Sequence, residues 1–163
     1  MPVLPDVLED KLKIVFCGSA AGRVSAARGA YYAGPGNRFW PTLAAAGLTP
    51  RLLRPEEFRE ITRYGLGLTD LAKEASGADS ELPAAADDSA GLEARIRRHA
   101  PRFLAFVGKR PAQVFLGRGV DSGLQPERLG TTRIFVLPSP SGAARRYWDE
   151  APWHHLAGLA TEG

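Results

Sequence analysis

Three short segments carry the polar and small residues that could do chemistry in this chain. They are residues 18–22 (GSAAG), residues 66–73 (LGLTDLAK) and residues 138–146 (PSPSGAARR). Each lies at the end of a run that predicts a strand, and ligands of open α/β sheets bind beyond the carboxyl ends of the strands. Asp70 supplies a carboxylate that could orient water as a base. We therefore expect the chemistry of this chain to take place where these three segments meet.

The residue types argue against several common cofactor and metal sites. Residues 18–22 lack the GK[ST] ending of a phosphate loop and the GxGxxG pattern of a dinucleotide site. Cys17 is the only cysteine, which excludes an internal disulfide, a cysteine-rich zinc site and a four-cysteine iron–sulfur cluster. Its apolar surroundings predict a buried thiol. His99, His154 and His155 are not spaced like zinc ligands, so we predict neither a metal nor a cofactor.

Alternating strands and helices predict the fold class. Apolar runs predict strands at residues 12–17, 102–107 and 133–137 and a strand end at residues 66–69. Spacing of apolar residues, together with Pro55 at a first turn, predicts helices at residues 37–46, 55–61, 89–100, 111–116 and 153–159. This alternation is typical of an α/β domain with a mainly parallel sheet.

Length and composition are those of one ordinary domain. The 163 residues are 44% hydrophobic and 24% charged, and no apolar run reaches the ~18 residues of a membrane span. We expect a single cytoplasmic domain over residues 1–163, monomeric and without a membrane partner, with residues 1–10 as an N-terminal extension. The net charge of +3 permits an anionic partner without requiring one. The basic stretch 95–118 favours a solvated helix face, and residues 75–90 an exposed connection.

Four ordered blocks resemble the mismatch-specific uracil/thymine-DNA glycosylases. The blocks are CGSAAG from residue 17, YYAGPGNRFW from residue 31, RYGLGLTDL from residue 63 and VLPSPSG from residue 136. Their order and approximate spacing match over residues 12–159. The resemblance implies a three-layer α/β/α fold with a central, mainly parallel sheet of four to five strands. It also implies hydrolysis of the N-glycosidic bond of a flipped-out uracil, thymine or other damaged base in double-stranded DNA that contains uracil or a mismatch.

The resemblance assigns a pocket for the flipped-out base. Tyr32 matches the family's aromatic residue that stacks on the base. The pocket positions that match the family are Gly18, Ser19, Ala20, Tyr32 and Ser139. The backbone at Ser19 and Tyr32 would bind the pyrimidine edge. Asn37 either lines this pocket or caps the helix that follows it, and the two roles are compatible.

Residues 139–146 resemble the loop by which the family enters the minor groove. The tip of that loop fills the gap left by the extruded nucleotide, and serines beside it bond phosphates. The family's bulky wedge is replaced by Ala143, so either one of the two arginines that follow fills the gap, or the grip on the widowed guanine is weaker and the preference for mismatches less strict. Lys109 is either a phosphate contact or a plain surface lysine. The expected DNA contacts are Lys109, Ser141, Gly142, Ala143, Arg145 and Arg146.

The first block departs from the family at the residue that holds the attacking water in place. The family carries an asparagine there, and this chain has Ala20, whose methyl group cannot hold water. Asp70 is the best replacement, because a carboxylate at a strand end could orient water and stabilise the cation that develops on the sugar. Two other roles stay open for Asp70, a cap for a helix starting at Leu71 and recognition of N3 or O4 of the base.

Three rival functions follow from the same residues. Hypoxanthine-DNA glycosylases share a YYAxPxN-like block with a key asparagine, which makes Asn37 the rival catalytic residue. Ala20 suggests a degenerate glycosylase that binds damaged DNA without cleaving it. A hydrolase of free nucleosides is a more distant alternative. The matched blocks contain no evident lysine nucleophile, so we expect a monofunctional glycosylase without lyase activity.

Overall fold

The computed structural model describes residues 2–162 and places five strands in one sheet. The strands are β1 (Ile14–Gly18), β2 (Leu66–Asp70), β3 (Phe103–Val107), β4 (Gly123–Leu129) and β5 (Thr132–Leu137). Their order is β2-β1-β3-β5-β4. β4 is antiparallel to β5, and the other neighbouring pairs are parallel. The predicted fold class, a mainly parallel sheet between layers of helices, is confirmed.

Helices connect the strands over both faces of the sheet. The α-helices are α1 (Arg23–Arg28), α2 (Phe39–Ala45), α3 (Ser89–His99), α4 (Lys109–Leu116) and α5 (Ala151–Thr161). Four segments form 3₁₀-helices, Pro55–Tyr64, Asp79–Glu81, Ala84–Ala86 and Gly142–Tyr147. The helix predicted at Pro55 is therefore present, but with the tighter 3₁₀ hydrogen bonding.

Two hydrophobic clusters separate the layers. Alternate residues of each central strand point to opposite faces, so Phe16 belongs to one cluster and its neighbour Cys17 to the other. The first cluster joins the sheet to α2, α5 and Pro55–Tyr64, and the second joins it to α3 and α4. Cys17 is fully buried, as its apolar surroundings predicted.

An aromatic group dominates the first cluster. The Phe39 ring lies at its centre, stacked on Tyr32 with ring centroids 3.9 Å apart. Its edges meet the rings of Phe16, Trp40 and Trp153 at nearly right angles. Such edge-to-face contacts fix ring orientation more firmly than area burial alone, by about 0.5–1.5 kcal/mol per pair. The ring of Tyr32 is therefore held in place from behind.

The N-terminal segment covers the outer edge of β2. Val7 and Leu68 exchange two backbone hydrogen bonds of 2.9 Å, in the manner of an antiparallel bridge. The side chains of Leu4 and Val7 are buried in the first cluster. Val7, in the segment expected only as an extension, thus satisfies the backbone polar groups of Leu68 at the sheet edge.

Candidate active site

The carboxyl ends of β1 and β2 bring two of the predicted segments together. Gly18 and Asp70 are opposite one another in the parallel register, each at the end of its strand. Beyond them the chains remain tied, since the amide of Leu71 donates to the carbonyl of Gly18 at 2.9 Å and that of Ala72 to Ser19 at 2.7 Å. The loop after β1 is thereby fixed against the carboxylate at the end of β2.

A cavity of about 580 Å³ opens at this end of the sheet. The predicted residues that line it are Gly18, Ser19, Ala20, Tyr32, Asn37, Asp70, Ser139, Ser141, Gly142 and Ala143. Lys109, Arg145 and Arg146 do not line it. All the residues predicted to bind or attack the substrate therefore share one cavity, and the three predicted cations lie outside it.

Asp70 is buried at the bottom of this cavity. It is 4% exposed, and its carboxylate accepts no hydrogen bond from residues 2–162. Burial raises the pKa of Asp70 to about 7, although Lys73 and Arg95 pull it down. A carboxyl group with such a pKa is suited to take up a proton near neutral pH. The interpretation of Asp70 as a helix cap is wrong, because no helix begins at Leu71.

Gly18 allows Asp70 and Tyr32 to approach each other. A Cβ atom at Gly18 would lie 3.0 Å from Oδ1 of Asp70 and 3.2 Å from the hydroxyl of Tyr32. Both distances are shorter than ordinary contacts of a methyl group. The absence of a side chain at Gly18 therefore lets the carboxylate and the phenol occupy one small volume.

Tyr32 combines an unusual backbone with a buried hydroxyl. Its φ of 53° lies in the left-handed region, which is uncommon for a residue with a side chain. This conformation turns the ring onto Phe39, and the hydroxyl is buried with no hydrogen-bond partner in residues 2–162. The hydroxyl of Ser19 is likewise buried and unpartnered. A buried polar group without a partner is costly unless a ligand or water satisfies it, so these two hydroxyls indicate a polar ligand.

Asn37 caps α2 while it lines the cavity. Its Oδ1 accepts a hydrogen bond of 2.9 Å from the amide of Phe39, the first residue of the helix. The two roles left open for Asn37 are thus both present in the structure. The capping bond uses one of the two lone pairs of Oδ1, so the amide is oriented by the start of the helix.

The loop after β5 packs directly on the segment that follows Tyr32. A Cβ atom at Gly142 would meet the carbonyl oxygen of Pro35 at 3.0 Å. The amide of Arg38 donates to the carbonyl of Pro140 at 2.9 Å. Ser141 Oγ accepts from the amide of Ala143 at 3.2 Å and so begins the 3₁₀-helix Gly142–Tyr147. Two separate blocks of the sequence therefore form one wall of the cavity.

A comparison of the sequence with known families gives a match over this architecture. The profile of the uracil DNA glycosylase superfamily matches residues 5–159. The chain belongs to this superfamily. Membership makes it a DNA glycosylase, a hydrolase that acts on DNA, and leaves the damaged base and the narrower mismatch-specific branch unassigned.

A solved structure has the same superfamily fold. It is the solution NMR structure of a candidate uracil DNA glycosylase from Methanosarcina acetivorans. The two chains superpose with a TM-score of 0.65 at 24% sequence identity, over 98% of this chain and 97% of the other. At this identity the likeness concerns the fold, including the sheet that carries the cavity.

An aromatic residue beside the cavity was missed by the sequence analysis of this glycosylase. Tyr147 ends the 3₁₀-helix Gly142–Tyr147 and is 79% exposed. Side chains three residues apart share a face of a 3₁₀-helix, so Tyr147 lies on the same face as Ala144. Ala144 lines the cavity. Arg145 and Arg146 are exposed on the same turn. An exposed ring next to two cations is typical of surfaces that bind nucleic acid.

Three of the seven cations of the basic stretch 95–118 form close ion pairs within the protein. Arg97 pairs with Glu93, Arg110 with Asp87 and Arg118 with Glu127, at 2.7–3.0 Å. Residues 75–90 are mostly exposed, as expected, although Asp87 is held in this way. The exposed Lys109 follows Gly108, which packs against Ser139.

Two further searches concern ions and membranes. Within residues 2–162, no group of three or more His, Cys, Asp or Glu side chains is arranged to hold a metal ion. None of the helices in the same range is long and apolar enough to span a membrane.

Proposed function

We propose that this chain is a monofunctional glycosylase that releases uracil from double-stranded DNA, with Asp70 as the catalytic residue. The observation that carries the proposal is Asp70 itself, 4% exposed in the lining of the cavity, with a carboxylate that accepts no hydrogen bond from residues 2–162. Asp70 here takes over from the amide that Ala20 cannot supply. The monofunctional assignment is supported by the lining formed by residues 2–162, which contains no lysine amine to attack the sugar.

The geometry supports a hydrolytic sequence that needs only residues of this chain. A base flipped into the cavity stacks on Tyr32, whose ring is held from behind by Phe39. As the bond between C1′ and N1 breaks, its electron pair leaves with uracil, and backbone amides of the pocket stabilise the anion. Ionised Asp70 orients a water molecule toward C1′ and accepts its proton as the new C–O bond forms. The uracil anion then takes up a proton from solvent and Asp70 returns its proton to solvent, so the products are uracil and an abasic site.

Asp70 is favoured over Asn37 because a carboxylate can accept a proton from water, whereas a neutral amide cannot. An ionised carboxylate would also repel O4 of uracil, which favours the water-side role for Asp70 over base recognition. The proposal therefore requires Asp70 in its charged form. With a pKa of about 7, the rate of the chemical step should rise about tenfold per pH unit below pH 6 and level off above pH 8.

The DNA contacts of the proposal lie on the rim of the cavity. Ser139, Ser141 and the exposed arginines of the loop would bond phosphates, and the Gly142–Ala143 backbone would enter the minor groove. Tyr147 is placed to stack on a base of the duplex. Since Ala143 offers no bulk, we assign the filling of the gap to Tyr147 together with Arg145 or Arg146.

The test is base release from labelled oligonucleotides, followed by alkaline strand scission. Duplexes with uracil, thymine or hypoxanthine opposite each normal base are incubated with wild type, Asp70→Asn and Asn37→Ala. We expect release of uracil, and its loss by about 10²- to 10⁴-fold in Asp70→Asn only. Asp87→Asn is a matched control, because Asp87 is a half-buried aspartate that pairs with Arg110 away from the cavity lining.

Other outcomes identify the rival functions. Full activity of Asp70→Asn with loss in Asn37→Ala would transfer catalysis to Asn37, and release of hypoxanthine alone would change the substrate. Tight duplex binding without abasic sites, even at high enzyme concentration, would identify a binding protein without catalysis. A hydrolase of free nucleosides would not bind duplex DNA in a salt-dependent way. Duplex binding that weakens steeply with salt therefore identifies a DNA-binding protein, because phosphate contacts release counterions.

A further inference from the structure

A charged network that the proposed mechanism does not use lies behind Asp70. Its centre is Asp6, on the N-terminal segment that covers the edge of β2. Asp6 Oδ1 accepts a hydrogen bond of 2.7 Å from the hydroxyl of Thr69, the residue before Asp70. The same oxygen lies 2.9 Å from Nζ of Lys73, and Oδ2 lies 3.5 Å from Nε of Arg95. One carboxylate thus joins the end of β2 to two cations.

Both cations are also attached to the neighbourhood of Asp70. Nη2 of Arg95 donates to the backbone carbonyl of Asp70 at 3.1 Å. Nζ of Lys73 donates to the hydroxyl of Tyr31 at 3.0 Å, and that hydroxyl donates to the carbonyl of Pro5 at 3.0 Å. The side chains of Lys73 and Arg95 are only 13% and 22% exposed, so solvent screens them weakly. Neither Lys73 nor Arg95 is among the residues that line the cavity.

The charges around Asp70 act in opposite directions. Lys73 and Arg95 favour its ionised form, whereas Asp6 disfavours it. The remaining titratable groups that face Asp70 are the thiol of Cys17 on β1 and the phenols of Tyr31 and Tyr32. Burial and Asp70 itself raise the pKa of all three, so they stay neutral when Asp70 ionises. The net electrostatic effect on Asp70 therefore depends on how closely Asp6 pairs with Lys73 and Arg95.

We propose that Asp6 is a positioning residue of this enzyme, which holds Lys73 and Arg95 behind Asp70 and limits how far they favour its charged form. The inference rests on the proposed role of Asp70. Without the Asp6 charge, the two cations are no longer opposed by a second carboxylate, so Asp70 ionises at lower pH. Removal of the Lys73 charge leaves Asp6 opposite Asp70, which then ionises at higher pH.

The test compares Asp6→Asn and Lys73→Met, which break the same ion pair from its two sides. Single-turnover release of uracil is measured from pH 5 to pH 9, and the midpoint of the acid limb is compared with wild type. We expect a shift to lower pH in Asp6→Asn and to higher pH in Lys73→Met, each on the order of half a pH unit. Lys73→Arg keeps the positive charge and should have the same midpoint as the wild type.

A matched control and a second readout make the result decisive. Asp10→Asn removes another carboxylate of the same segment, which contacts His99 on α3 at 2.9 Å, and should leave the midpoint unchanged. The ionisation of Asp70 is followed independently by ¹³C NMR of its carboxyl carbon, assigned by the loss of the signal in Asp70→Asn. This titration needs no substrate, so it tests the network even if no uracil is released.

The outcomes separate the two proposals. Opposite shifts in the two variants, by either readout, support the network, whereas shifts in one direction, or none, overturn it. Opposite NMR shifts without base release would keep the network and refute the uracil function. If Asp6→Asn fails to fold, the Lys73→Met and Lys73→Arg pair decides, since only the loss of charge should move the titration.

Discussion

Replacement of Asp70 by asparagine should make this glycosylase more stable while it removes activity. An aspartate has an ordinary pKa of 3.8, and burial raises that of Asp70 to about 7 in the folded protein. The folded state therefore binds the proton more tightly than the unfolded state does. The resulting stability is complete below pH 3.8 and is lost as the pH rises through 7. Asparagine keeps the shape of the neutral acid and never ionises.

The magnitude follows from the two pKa values. A tenfold difference in proton affinity corresponds to about 1.4 kcal/mol, so the ionised carboxylate destabilises the folded protein by up to about 4 kcal/mol. At pH 5 the folded protein holds its proton, and about 2–3 kcal/mol of this penalty is absent. The stability gained by Asp70→Asn should therefore be about 2–3 kcal/mol greater at pH 8 than at pH 5.

Urea and thermal unfolding of the two proteins at pH 5 and pH 8 measure this difference. For a domain of this size it corresponds to roughly 5–10 °C in Tm. All other titrating groups are common to both proteins, so their contributions to the pH dependence of stability cancel in the comparison. Asp87→Asn breaks a partly buried ion pair with Arg110 and should lower stability at both pH values. An equal gap between Asp70→Asn and wild type at the two pH values would refute the reasoning.

Further predictions concern the cavity and its rim. Ala20→Asn should keep or raise the rate of uracil release, because it restores the amide that the mismatch-specific glycosylases carry at the matching position; a folded but inactive variant would contradict the loop geometry. Gly18→Ala should fold and lose at least about tenfold in rate, since its methyl group would lie 3.0 Å from Asp70 Oδ1. Tyr147→Ala should weaken duplex binding about 5- to 100-fold by fluorescence anisotropy, the loss of one base stack. Leu52→Ala, at a 58% exposed apolar residue outside the cavity lining, should have no effect.

The parts of the fold that could be predicted are those that depend on local pattern. β1, β3 and β5 are apolar on both faces, as strands in the middle of a parallel sheet must be. β4 was missed because it alternates between half-buried and exposed residues and contains Pro126, which is tolerated at a sheet edge. α1 was missed because its six residues give too little periodicity to recognise a helix.

In the candidate site, too, some residues could be predicted from the sequence and others could not. Asp70 could be placed in the cavity because the ends of parallel strands meet at one edge of the sheet. Its contact with Gly18 follows from their register, which joins positions 52 residues apart. The approach of Asp6 to Lys73 and the exposure of Tyr147 depend on tertiary packing, and no local pattern reports either of them. Sequence thus predicted the groups that line the cavity better than those that lie behind them.

The aromatic group around Phe39 has a spectroscopic consequence. All three tryptophans of the chain, Trp40, Trp148 and Trp153, pack in the first hydrophobic cluster, and the second cluster contains none. Intrinsic tryptophan emission therefore reports on one side of the sheet and is blind to melting of the layer formed by α3 and α4. Phe39 also touches Tyr32, Trp40 and Trp153. A base arriving on Tyr32 should consequently change the emission of the unlabelled protein, which offers a stopped-flow signal for nucleotide entry.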